Sequence, residues 1–425
     1  MRSMGESEPS SSNQLLSENA TIPKMRFLVG VIALLVLLPP VPARAGGGAP
    51  APQRCGAGGG MYDVAVPGAP MSATATPDEQ TVFVSLNSTE PRQLNGIAVL
   101  RCTDGRYRLQ RVIPLESQPA IAAFTHDGKM LVVPDDAFIA FVDVERALSG
   151  DGDPVSGFIE DVPGDDGGAI YAAVSPDNRF AFVAEEQSGK LTVIDLQKAR
   201  AGGIIAHDDI VSEFLIGNAP VGLVFSRDGR YLFATVQVAL KRYGFAPTCE
   251  PEIASAAANE APGAIVTIDV AKAVSDPSHA LVSNVAAGCH PVRAALSPDG
   301  ATLWVTARKS NAVLAFSTKK LLAGSAGARI AEVKVGSAPV PIIVTPDGKY
   351  VLAGNSNRFG QAGAGNQDLV VIDAHTRAVV GRIPVGIFPR QLTQTQSGST
   401  IFLTNYGSNT ITVIDPATLP SVIHR

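Results

Sequence analysis

Tryptophan is almost missing from this chain: Trp304 stands alone among 425 residues. Repeat folds of the WD type, and those that dock their units through repeated Trp motifs, would carry many, so both are excluded. Charge is also scarce. Lys, Arg, Asp and Glu make up 17% of the chain and the formal net charge is -5, which argues against nucleic-acid binding because that needs a clustered basic surface. The four cysteines show no C-x-x-C or His-rich spacing, so neither a metal site nor a cofactor is expected. Gly324-Ser325-Ala326-Gly327 is not followed by Lys-Ser/Thr, which removes a phosphate loop. No G-x-S-x-G nucleophile elbow occurs, and the acidic stretch Asp161–Asp166 lacks EF-hand spacing. His207, His279 and His375 fall in peripheral connections and read as solvated side chains.

What is present is repetition. A short turn recurs as Thr76-Pro77-Asp78, Thr125-His126-Asp127-Gly128, Ser175-Pro176-Asp177-Asn178, Ser226-Arg227-Asp228-Gly229, Ser297-Pro298-Asp299-Gly300 and Thr345-Pro346-Asp347-Gly348, with a degraded seventh copy at Thr395-Gln396-Ser397-Gly398. The copies are spaced by about 50 residues, with one gap of about 70, and such a period marks a propeller or solenoid. The 41 glycines and 31 prolines suit many short strands joined by tight turns.

The sixth copy defines the unit. Val340–Val344 is an apolar strand, and Thr345–Gly348 is a hairpin turn in which Pro presets φ, Asp caps and Gly accepts φ > 0. Lys349–Ala353 is a second strand and residues 355–367 form a polar loop. Leu369–Asp373 is a third strand ended by an Asx-type aspartate, and Ala378–Val385 is a fourth. Four strands make one antiparallel blade, and seven copies predict an all-β, seven-bladed β-propeller. Only three strands follow the seventh turn, whereas Tyr62–Pro70 resembles Gly381–Pro389. The N-terminal strand is therefore expected to complete the last blade and close the ring. The expected propeller covers 61–425 as a monomer, with an insert at about 239–263.

Residues 1–60 read differently. Met25-Arg26, the apolar run Phe27–Leu38 and Ala43-Arg44-Ala45 follow the order of a secretory signal cleaved after Ala45. The run is too short to span a bilayer. Met25 reads as the true start, with residues 1–24 an over-extended gene assignment, and residues 46–60 as a flexible Gly/Pro linker. The expected location is secreted or periplasmic, with no membrane span in the mature chain.

Asn405-Tyr406-Gly407-Ser408-Asn409-Thr410-Ile411-Thr412-Val413-Ile414-Asp415, preceded by Gly386-x-x-Pro389, resembles the YVTN-type propeller repeat. The resemblance covers residues 61 to about 420, and its wider kinship is with surface-layer and lactonase-like propellers. It implies the fold; its motifs are turns and strands and carry no activity.

Chain direction assigns the loops to faces. Gly-x-x-Pro loops and second-to-third-strand loops share an upper face; the Ser-Pro-Asp-Gly turns and Ile-Asp ends share a lower one. Four cysteines allow three pairings. Cys249 and Cys289 both fall on the upper face, in the insert and in the loop leading into blade five. Cys55 and Cys102 fall on the lower face near the seam. The expected disulfides are Cys249–Cys289 and Cys55–Cys102.

Function in a propeller sits on loops, because strands are committed to packing. Residues at the start of each first strand and the end of each second strand should lie nearest the axis. They are Asp135, Glu185, Arg293, Arg308, Asn355, Arg390 and Asn405, with His290 close by. Acids from blades two and three would face arginines from blades five to seven across a mouth suited to a zwitterionic or carboxylated ligand. The expected function is a non-enzymatic recognition platform for a partner protein or small ligand on the upper face. The alternatives are a lactonase-like hydrolase or cycloisomerase using His290 and Glu185 as acid and base, and a subunit of a redox or surface assembly. An insert folded over the mouth would favour a small ligand, and one projecting outward a protein partner.

Overall fold

The computed structural model describes residues 55–56 and 60–423, apart from 89, 91–92, 116, 161–167, 202–208, 252–257 and 359–366. The signal and most of the linker expected from the sequence lie outside the described residues, as do Asp161–Asp166 and His207.

Seven four-stranded antiparallel sheets succeed one another along the chain. Blade one uses Pro70–Ala75, Thr81–Leu86, Gly96–Thr103 and Arg106–Pro114. Blades two to six run over 123–160, 169–215, 218–286, 291–334 and 339–384. Blade seven takes Pro389–Gln394, Ile401–Asn405 and Thr410–Ile414 from the C-terminal end of the chain. Its outer strand is Met61–Ala65, paired antiparallel with the strand ending at Ile414. Second and third strands are apolar on both faces, since each blade is covered by a neighbour on either side.

The turns behave as their residue types dictate. Thr345 Oγ1 donates to Asp347 Oδ1 at 2.6 Å, and the same carboxylate oxygen accepts from Lys349 N at 3.1 Å. Turns one to five repeat this arrangement. The glycine adopts positive φ and lies against the turn before it: a Cβ on Gly398 would come within 2.1 Å of Pro346. The seven turns thus nest in a ring on the lower face.

At the seam both partners depart from the pattern together. Turn seven has Ser397 where the others have Asp. Turn one has Glu79, at φ 59, where most have Gly. The Glu79 carboxylate reaches across the seam and accepts from Ser397 N (2.8 Å), Ser397 Oγ (2.9 Å) and Ser399 Oγ (3.2 Å). Blade one therefore supplies the carboxylate that turn seven lacks. Burial raises the Glu79 pKa, but the hydrogen bonds from Ser397 and Ser399 outweigh it and hold it below its ordinary value.

Hydroxyls join blades nearer the axis. Thr235 Oγ1 donates to Val292 O and Thr306 Oγ1 to Val340 O, each at 2.8 Å, and each links one blade to the next. Aspartates at third-strand ends cap helices, Asp195 among them, which accepts from Lys198 N at 3.2 Å. Asp143 and Asp269 accept from Arg146 N and Lys272 N at the starts of short helices, a step absent from the four-strand expectation.

Both disulfides form as the face argument requires: Cys55–Cys102 with Cα atoms 5.7 Å apart, and Cys249–Cys289 at 5.5 Å. Among the described residues no helix is long and apolar enough to cross a membrane, and no group of three His, Cys, Asp or Glu could hold a metal ion.

Candidate functional site

In six of the seven blades the first strand carries one structural irregularity that shapes the axis, behind a leading proline in five of them and behind Ala169 in blade three. Just after that leading residue the pairing register slips: Pro70 pairs with Leu86 but Ser72 with Ser85, and Pro389 pairs with Asn405 but Gln391 with Thr404. A bulge leaves one residue unpaired and re-aims it. Here it turns that residue toward the centre of the ring. Val221, Val292 and Val340 come from blades four to six and cluster there with Ile170 of blade three. Met71 occupies this position in blade one and Arg390 in blade seven. A guanidinium therefore stands in an otherwise apolar ring.

Directly below it, Arg293 forms a crossbar. Its Nε donates to Gln391 Oε1 of blade seven at 3.3 Å, and Nη1 donates to Val221 O of blade four. Its guanidinium carbon lies 5.2 Å from the centre of the Tyr171 ring of blade three. Burial pulls its pKa down to about 10, opposed by Tyr171 and Glu186. Tyr171 and Gln391 also line the inner part of a 420 Å³ cavity that includes Thr76, Pro77 and Thr125 of the lower-face turns. The crossbar thus stands between that cavity and the upper mouth.

Above the crossbar, Arg308 Nη2 donates to Gln237 Oε1 at 2.6 Å, and Gln237 Nε2 donates to Glu186 Oε1 at 3.0 Å. This relay crosses three adjacent blades. Arg390 is pulled down to about 9 by burial and by the charges of Arg293, Arg358 and Arg308, with Glu186 opposing. Arg390 keeps some solvent contact although protein surrounds it at longer range, as expected of a group in a recess. Its Nε meets Met71 Sδ at 3.3 Å and its guanidinium lies 5.4 Å from the Phe388 ring centre. Among the described residues it forms no ion pair. A guanidinium has five N–H donors, and a thioether sulfur is a weak acceptor for one of them.

Of the residues expected at the axis, Arg293, Arg308 and Arg390 come together. The other four require correction: they end their second strands pointing into their own blades. Glu185 accepts from Ser188 Oγ at 2.6 Å and from Thr192 Oγ1, and burial and the neighbouring Glu213 raise its pKa. Asn355 donates to Asp368 Oδ1 at 2.6 Å, and Asp368 pairs with Arg382 at 2.8 Å. Asn405 donates to Thr412 Oγ1 at 2.8 Å, which donates to Asp63 Oδ1 at 2.6 Å. Asp135 holds the matching register position, opposite Pro119, and accepts the backbone N–H of Ser117. Burial, aided by Asp136, pushes it up to about 7.

The reason is strand alternation. A shift of one residue moves a side chain to the opposite face. Glu186 and Gln237, each one residue past the strand-end register position, face the mouth instead. The dipeptide Glu185-Glu186 held the signal, but not which of the two faces the axis.

His290 is also elsewhere. It sits at φ 50 before Pro291 with Nε2 3.5 Å from Glu260 Oε2 of the insert. It and Glu185 are committed to different partners and do not form an acid–base pair. The described part of the insert runs along the rim. Tyr243 OH donates to Ile216 O of the loop after blade three at 2.6 Å, and Cys249 is tied to Cys289 before blade five.

No protein-family model matches the chain, and no curated protein matches it. Among solved structures it is similar to a chain of hydrazine synthase from Kuenenia stuttgartiensis, with a TM-score of 0.60 and 19% sequence identity. The match covers 83% of this chain and 96% of that one. At that identity the likeness shows the fold alone.

Proposed function

We propose that this protein is a secreted or periplasmic recognition module, non-enzymatic, whose upper central mouth binds a small anion, a carboxylate in the first place. The observation that carries this reading is Arg390: a recessed guanidinium without an ion pair among the described residues, beside Arg293, Arg308 and Arg358. Like charges gathered in a recess repel one another at low effective dielectric. A bound carboxylate relieves that repulsion and takes two guanidinium N–H donors in a planar, bidentate contact. The two disulfides support an oxidising compartment. The hydrolase alternative loses support because His290 and Glu185 are held apart by other partners.

The test is thermal unfolding against added carboxylate at constant ionic strength. A site that binds only the folded state stabilises by about 2.7 kcal/mol when ligand stands at 100 times its Kd. The expected result is a midpoint that rises with acetate in the wild type and stays flat in Arg390→Met. Methionine already fills the matching bulge in blade one, at Met71, so the substitution suits the fold. Equal rises in both proteins would place anion binding elsewhere.

A further inference from the structure

Position 388 carries a bulky aromatic residue where two other blades carry alanine. The residue before the blade-leading proline has positive φ in four blades: Ala219 at 50, His290 at 50, Ala338 at 52 and Phe388 at 56. Left-handed backbone is costly for any residue with a Cβ, and for bulky ones above all. Two blades meet that demand with alanine, so the fold itself does not require a large side chain here.

Phe388 is not spent on the core. It is half-buried, its ring lies over the Arg390 guanidinium, and it meets Tyr406 edge-on with centres 5.5 Å apart. Tyr406, also half-buried, packs against the cluster of Met71, Ala120 and Ile121. The neighbouring Ile387 is 54% exposed. One side of the arginine recess is therefore an apolar, aromatic wall, continuous through Met71 with the apolar ring of the axis. The other side carries the polar relay of Glu186, Gln237 and Arg308.

Building on the anion-binding reading, we infer that the ligand is an amphipathic carboxylate: a carboxylate head for Arg390 joined to an aromatic body that stacks along Phe388 and Tyr406. A small hydrophilic anion would leave that wall exposed to water, whereas an aryl group covers it and stacks on rings already oriented for offset or edge contact. Because the wall comes from a single blade, it selects the ligand's body without altering the cationic arc that holds its head.

The test is calorimetric titration of the full chain with acetate, inorganic phosphate, phenylacetate and benzyl alcohol. Wild type, Phe388→Ala and Arg390→Met are compared. Phe388→Ala is suited to the fold because Ala219 and Ala338 already occupy the matching position at nearly the same φ. Phenylacetate is expected to bind wild type at least tenfold more tightly than acetate, a difference of about 1.4 kcal/mol. Phe388→Ala should weaken phenylacetate by about that factor more than it weakens acetate, while Arg390→Met loses both. Benzyl alcohol, which lacks the head, should bind none of the three. Equal affinities for acetate and phenylacetate in wild type would overturn the amphipathic ligand and leave the anion site standing. So would phosphate binding more tightly than phenylacetate, or Phe388→Ala weakening both carboxylates alike. If neither carboxylate binds wild type, both readings fall.

Discussion

Glu79 and Ser397 form a compensated pair across the ring seam, and a double-mutant cycle measures it. Glu79 occupies a glycine position at φ 59. Changing it to Gly relieves left-handed strain worth about 1 kcal/mol. The same change removes three hydrogen bonds to Ser397 and Ser399, worth together about 1–2 kcal/mol at an exposed site. Glu79→Gly alone should thus be close to neutral or mildly destabilising. Ser397→Asp tests the coupling. In the wild type it places a second carboxylate beside Glu79, a repulsion of about 1–2 kcal/mol. In the Glu79→Gly background, the same substitution can make the turn contacts that Asp347 makes with Thr345 and Lys349, a gain of about 0.5–1 kcal/mol. Ser397→Asp should therefore change sign between the two backgrounds, with a coupling energy of about 2 kcal/mol. Urea unfolding midpoints at neutral pH supply the four values. An equal effect of Ser397→Asp in both backgrounds would refute the compensation. The pH dependence is a further check: the Glu79 pKa is lowered in the fold. Its stabilisation is therefore present above the unfolded carboxylate pKa and is lost as pH falls through the lower folded value.

Asp135 should behave in the opposite sense. Its pKa rises from 3.8 to about 7, so folding retains a proton that the unfolded chain has released, and its contribution to stability falls between those values by at most about 1.4 kcal/mol per pH unit. Unfolding of Asp135→Asn at pH 4 and pH 8 should show the variant gaining on wild type at the higher pH; parallel profiles would contradict the burial argument. Thr306→Val removes the bond to Val340 O and the acceptor for Arg293 N, and chemical denaturation should register a loss of about 1–3 kcal/mol. Replacing Cys249 and Cys289 by serine opens a bridge of sequence separation 40. The expected cost is about 4 kcal/mol in the chain-entropy treatment, and limited proteolysis should then cut within the insert first. Unchanged resistance would mean that the rim contacts of Tyr243 hold the insert without the bridge.

The seven blades were legible because each is announced by a turn whose residues have local reasons to be there. Ser or Thr, Asp and Gly satisfy that turn's own backbone and side-chain geometry, so the signal survives without knowledge of the neighbours. The disulfides were legible for a related reason: strand direction alone sorts the four cysteines onto two faces. The mouth was legible in part. Arg293, Arg308 and Arg390 were found, whereas Asp135, Glu185, Asn355 and Asn405 were assigned to the axis one residue too early. In a strand the difference of one position is the difference between two faces, and no local feature of Glu185-Glu186 marks which carboxylate turns inward. The Glu79–Ser397 contact was also hidden, since its partners are 318 residues apart and each alone resembles a worn copy of the repeat.

By itself the sequence determined what depends on chain-local chemistry: the period, the turn type, the strand count, the direction of each strand and the face of each loop. Tertiary structure decided what depends on how seven copies meet. It set the bulge that re-aims Arg390 into an apolar ring, the crossbar of Arg293 between blades three, four and seven, and the aromatic wall of Phe388 and Tyr406 against Met71 of blade one. These relations reach across blades, and the packing of blade against blade brings their residues into contact.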